Sequence, residues 1–137
     1  MKSHGLPLFL LLFALAAVLL ACGSSQRALK SVGISPASAE AQAVGGEVQF
    51  SATGYYSAPP SPVTPAPAYW GACYHGDGTA AVTVNSSGLA RCTGTPGTYE
   101  VWASVPNPAF HGACPQVIGP CSGPCGTLGG SAQLTCQ

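Results

Sequence analysis

Glycine and proline break this chain so often that few folds remain open to it. Its 137 residues include 18 glycines and 13 prolines. Beyond residue 21 no window keeps the apolar spacing of an amphipathic helix. An Ala-rich stretch over 38–44 is stopped by Gly45-Gly46 before it can extend. What survives between the breaks is alternation. Val32 and Ile34 begin a strand that Pro36 ends, and after the Gly45-Gly46 turn Val48, Phe50 and Ala52 share one face while Glu47, Gln49 and Ser51 share the other. Val82 and Val84 form the next apolar face, Asn85-Ser86-Ser87-Gly88 is turn chemistry, and residues 89–93 resume in extended form. Gly94, Pro96 and Gly97 then lead into a strand with Tyr99, Val101 and Ala103 inward and Glu100 and Trp102 outward. Period-two runs bounded by turns predict an all-β antiparallel sandwich or barrel. Its expected core contains Trp70, Val82, Val84, Leu89, Tyr99 and Val101.

The first 21 residues stand apart from this pattern. Lys2 and His4 precede a nearly unbroken apolar run over 6–20, which has the anatomy of a secretory signal and is short for a spanning helix. The run ends Leu19-Leu20-Ala21-Cys22. That sequence resembles a bacterial lipobox, although Leu20 is bulkier than the residue usual at its position. The resemblance implies diacylglycerol transfer to the Cys22 thiol and cleavage before it. Residues 1–21 are then a lipoprotein signal peptide and 22–30 a lipidated flexible tether opening Gly23-Ser24-Ser25-Gln26. One acyl chain binds a membrane only marginally, so stable anchoring takes two or more.

Past residue 21 the acidic side chains are Glu40, Glu47, Asp77 and Glu100, against the basic Arg27, Lys30 and Arg91. That set is too sparse for a basic stripe, which argues against a nucleic-acid partner. Six cysteines remain besides Cys22: Cys73, Cys92, Cys114, Cys121, Cys125 and Cys136. An even number in a short exported chain reads as a disulfide framework, and spacing alone does not fix which of the 15 connectivities is used.

Two segments lack alternation. Residues 57–67 hold repeated prolines, which cannot donate to a central ladder, and read as a stiff solvent-exposed loop in preference to a polyproline ligand. Residues 107–137 are rich in Gly, Pro and Cys, and only 131–135 read as a strand. The expectation is an irregular tail held by disulfides in place of a core of its own.

Residues 32–103 resemble the bacterial immunoglobulin-like domain, group 2, the module repeated in adhesins such as intimin and invasin. The resemblance rests on the opening Val32-Gly33-Ile34-Ser35-Pro36, on Val44-Gly45-Gly46-Glu47-Val48-Gln49-Phe50-Ser51-Ala52, and on Tyr69-Trp70 at the place of the family's buried tryptophan. Val82-Thr83-Val84-Asn85-Ser86-Ser87-Gly88-Leu89 and Gly97-Thr98-Tyr99-Glu100-Val101-Trp102-Ala103 complete it in the family's order. The Pro-rich insertion, Cys73, Cys92 and the tail depart from the family. The resemblance implies an immunoglobulin-like sandwich over 31–106. It also implies that Cys73 and Cys92 lie on strands of one core, hence a Cys73–Cys92 bridge with Cys114, Cys121, Cys125 and Cys136 paired among themselves. The competing arrangement ties Cys136 to Cys92.

Cys73-Tyr74-His75-Gly76-Asp77 and His111 near Cys114 put imidazole beside sulfur, the raw material of a zinc site or a Cys–His nucleophile. Oxidised cysteines serve neither purpose, so the expectation is structural disulfides, no metal, no cofactor and no enzyme. The expected function is a non-catalytic module for adhesion or envelope-protein interaction on the bacterial cell envelope, at the outer membrane or cell surface, meeting the membrane through its lipid and an envelope protein, surface protein or polysaccharide through its sandwich. The alternative is a small exported inhibitor or regulator that binds through its braced tail.

Overall fold

In the computed structural model, which describes residues 27–113 and 121–137, the alternating segments become ten strands. They are β1 (Leu29–Ser35), β2 (Ser38–Ala41), β3 (Val44–Gln49), β4 (Ser51–Tyr56), β5 (Tyr69–Tyr74), β6 (Asp77–Gly78), β7 (Val82–Val84), β8 (Leu89–Thr93), β9 (Gly97–Pro106) and β10 (Thr127–Cys136). No helix occurs among the described residues. Cys22 and Cys114 lie outside them, as do the signal segment and most of the expected tether.

One layer is a five-stranded sheet in the order β2-β10-β9-β5-β6. The other is split into β1-β4 and β3-β8-β7. The apolar alternation over 48–52 is continuous, yet it serves two sheets. At Phe50 the backbone N–H donates to the Gly88 carbonyl (2.9 Å), and beyond it the chain leaves β8 and pairs with β1. Phe50 itself is fully buried.

Pairing fixes which side chains share a face, because partners directly across a ladder point the same way. Val82 pairs with Cys92 and Val84 with Ala90. Cys92 and Ala90 are therefore the inward residues of β8, and the expected core position Leu89 is only half-buried. The turn causes the shift. Asn85 Oδ1 accepts from the backbone N–H of Ser87 and of Leu89, and Gly88 takes a positive φ of 84°. A Cβ there would meet the Phe50 carbonyl at 2.5 Å and the Trp70 ring at 2.8 Å. Val82, Tyr99 and Val101 are buried as expected, with Trp70 and Val84 packed against them. A second cluster of Leu29, Ala52, Ala66, Ala103 and Val105 fills the other end, and Trp70 and Ile34 touch both.

Three expectations need correction. The segment over 107–137 is not an irregular appendage throughout: β10 lies between β9 and β2, with Leu134 at 0 % and Ala132 at 4 % exposure. Its Gly129 and Gly130 hid the pattern, since neither carries a side chain to mark a face. The pairing is also not wholly antiparallel, because β2 runs parallel to β10. Finally, residues 27–30 belong to the folded domain and not to the expected tether. Leu29 is buried, and the Arg27 guanidinium lies 3.6 Å above the Tyr56 ring while its Nε donates to the Ala58 carbonyl.

The Pro-rich segment has a defined place. Gly54 and Val63 exchange backbone hydrogen bonds of 3.0 and 2.9 Å, and the Ala66 N–H donates to the Ala52 carbonyl. The segment thus straps the open side of β4, and Ala66 is buried beneath it although much of 57–62 stays exposed. Edge strands left bare invite pairing with other chains; a proline strap supplies few donors for that.

Candidate functional site: the braced outer face of the five-stranded sheet

Two cysteine pairs are joined among the described residues, Cys73–Cys121 and Cys92–Cys136, with Cα separations of 5.9 and 6.0 Å. Cys125 is disulfide-bonded as well. The expected Cys73–Cys92 bridge does not form, and the competing Cys92–Cys136 bridge does. The reason is facing. Trp70 and Ala72 of β5 pack toward the core, so Cys73 points out of the sandwich. Cys92 belongs to the core cluster. The two sulfurs sit on opposite sides of a sheet. Sequence reasoning lacked the register that settles this.

Cys73 is nevertheless fully buried, because the segment over 121–126 folds across the outer face above it. The Thr127 hydroxyl donates to the Pro124 carbonyl (2.6 Å), and the Asn107 N–H donates to the Gly126 carbonyl (2.8 Å). A Cβ on Gly123 would come within 2.0 Å of the Ser104 hydroxyl oxygen, so only glycine allows the loop to lie this close. Ser104, an outward residue of β9, is 2 % exposed as a result.

Beside the loop lies the Trp102 indole, pressed onto the backbone of Gly71, its partner across the β5–β9 ladder. A Cβ on Gly71 would stand 2.4 Å from the ring. The indole Nε1–H is buried without a hydrogen-bond partner, an arrangement that costs about 1–3 kcal/mol. The outward position of Trp102 was legible from alternation. Its glycine seat was not, since that depends on which strand lies next to β9.

From Trp102 an open polar groove runs along the sheet past Glu100 and Ser131 to Thr98, Gln133, Tyr74 and His75. Its two depressions, about 470 and 530 Å³, meet at Glu100 and Ser131. Each is within the roughly 300–1,000 Å³ of small-molecule sites, but both are open. Glu100 is the single carboxylate lining them. His75 sits at the exposed β5–β6 turn with φ of 50°, its ring edge-on to Tyr74 at 4.1 Å. The neighbouring Cys73 is committed to its disulfide, which removes the thiolate from the Cys73–His75 version of the zinc and nucleophile hypotheses, whereas the His111–Cys114 version has its cysteine outside the described residues. Among the described residues no group of three or more His, Cys, Asp or Glu side chains is placed to hold a metal.

A scan against protein-family models finds no match, and a search of curated proteins finds none either. The fold and site therefore define the class on their own terms: an all-β, sandwich-like domain braced by disulfides.

Proposed function

We propose that this chain is a bacterial envelope lipoprotein, anchored through Cys22, that presents a non-catalytic immunoglobulin-like module to an envelope or surface protein or polysaccharide. One observation carries the reading: the strand order. An immunoglobulin sandwich sets its strands A, B, E and D against C, F and G. Here β1, β4 with β3, β8 and β7 supply the first set in order, and β5, β9 and β10 supply the second. Trp70 on β5 stands where that fold carries its core tryptophan on strand C. The inter-sheet disulfide departs from the B–F position and joins E to G as Cys92–Cys136.

Binding is favoured over catalysis by the chemistry of the groove. Glu100 has no second carboxylate beside it in the lining, and His75 stands at its rim without an activated nucleophile. What the groove offers instead is an indole, hydroxyls, an amide and a carboxylate on a rigid sheet, which suits recognition of polar surfaces.

The test places a photo-crosslinking residue at Gln133 in the groove or at Thr83 on the opposite sheet, in cells making the full chain. Crosslinks to envelope protein or polysaccharide from position 133 and none from 83 are expected. Crosslinks from 83 alone would move the binding surface. Intact-mass analysis of the envelope fraction checks the anchor: loss of residues 1–21 and added acyl mass are expected, with a Cys22→Ser variant released to the soluble fraction.

A further inference from the structure

The charges of the folded domain are sorted along its length. The chain enters at Arg27, and Leu29 of β1 donates its N–H to Asn107 Oδ1, just past the end of β9. Pro106 and Thr127 are paired at that same end. From there β10 runs to Cys136 at the far end, passing Gln133 opposite Glu100 and Thr135 opposite Glu40. Asp77 is held opposite Tyr74, and Glu47 lies beside Arg91 (3.9 Å) on strands that extend still further. All four carboxylates thus occupy the half remote from the entry point, where the one cation, Arg91, is set against Glu47. Arg27 and Lys30, the remaining cations of the described residues, both sit at the entry end.

Apolar surface is open at Val44 and Tyr74 in the far half and at the entry end as well, and at the entry end it lies beside Arg27 and Lys30. Tyr56, Pro67, Val105, Pro106 and Pro108 line an apolar cleft beside Arg27. Phe110, at 42 % exposure, and Leu128, at 36 %, stand near it, Phe110 against Gly126 and Leu128 opposite Val105. Soluble domains seldom leave aromatic and aliphatic groups grouped with cations at one end without something to cover them.

We infer that this end docks on the headgroup region of an anionic bilayer, so that the domain stands with its carboxylate-bearing half away from the lipid. The inference rests on the proposed anchor at Cys22. Four residues separate Cys22 from Arg27, and an extended chain of that length reaches at most about 18 Å. The entry end is therefore confined close to the surface, and confinement raises its effective concentration enough for weak contacts to count. Cations near an anionic surface and amphipathic rings at headgroup level are both favoured there, whereas carboxylates are repelled.

The experiment uses residues 22–137 with Cys22 coupled chemically to a maleimide lipid, so its result does not depend on whether cells acylate the cysteine. Amide hydrogen exchange is compared on vesicles of phosphatidylcholine alone and on vesicles containing phosphatidylglycerol. Residues 107, 109, 110 and 127–129 should gain protection on the anionic vesicles, residues 75–78 and 42–46 should not, and added salt should reverse the gain. Lys30→Glu, at an exposed position that leaves the core intact, should weaken docking on the order of tenfold or more, as reversal of one surface cation implies. Equal protection on both vesicles, protection of the far end, no protection at either end, or indifference to Lys30→Glu would each overturn the inference. If docking holds while envelope mass analysis finds no acyl group, the anchor fails and the lipid-facing surface stands.

Discussion

Cys92–Cys136 and Cys73–Cys121 span 44 and 48 residues, so the chain-entropy account values them alike, at about 4 kcal/mol each. They differ in what surrounds them. The first lies among Phe50, Tyr99, Val101 and Leu134 and joins the two layers. The second lies on the outer face and holds a loop over Ser104 and Trp102. Equal loop closure with unequal surroundings means that any measured difference between them reports packing in the folded state. The inner bridge belongs to the stability of the sandwich and the outer one to the shape of its groove.

That division can be broken by measurement, beginning with the largest effect. Replacing Cys92 and Cys136 together by serine removes the loop constraint and leaves two polar groups in the core, and should cost more than about 4 kcal/mol. The Cys73→Ser, Cys121→Ser pair should cost less and should alter the exchange of the Ser104 and Trp102 amides ahead of global unfolding. Equal melting temperatures for the two variants would erase the distinction. Next, Leu134→Ala should destabilise by about 2–5 kcal/mol, as truncation of a fully buried leucine does. A change below about 0.5 kcal/mol would make β10 an appendage after all.

A smaller effect tests the outer face alone. Gly71→Ala drives a methyl into the Trp102 ring and should cost about 1–3 kcal/mol. The loss should shrink when Trp102→Ala is added, because the two side chains share one space. Additive losses in that double-mutant cycle would mean the indole does not rest on Gly71. The smallest effect is expected at the Glu47–Arg91 pair, which is largely exposed. Glu47→Gln should change denaturant midpoints by no more than about 0.5–1 kcal/mol, and less in high salt.

The same contrast explains what could be read in advance. Alternation and turn residues revealed the strands around Val48, Val82, Tyr99 and Val101, because each of those signals is local. Facing across a ladder is not local. Whether Cys73 meets Cys92 depends on the register of β5 against β9, and no short stretch of chain encodes it. Leu89 was misplaced by one position for a related reason, since the geometry of the Gly88 turn decides which residue of β8 first turns inward. In β10 the two glycines concealed a strand whose inward positions are Ala132, Leu134 and Cys136. The groove was partly legible: Trp102 and Glu100 read as outward, but the loop that walls them in is fixed by a bridge from a strand some 48 residues away.

The placement of β10 also has a meaning in time. Chains are made from the N-terminus, and β10 is the last of the ten strands to appear. Yet it sits between β9 and β2 and carries the cysteine that binds Cys92. Until it arrives, β2 has no ladder partner and β9 is paired along one edge alone, with β5. Pairings this remote in sequence make for slow folding, and here the slow step is also the final one. The domain therefore stays open along one seam until β10 docks, and formation of the Cys92–Cys136 bond is a natural marker that the seam has shut.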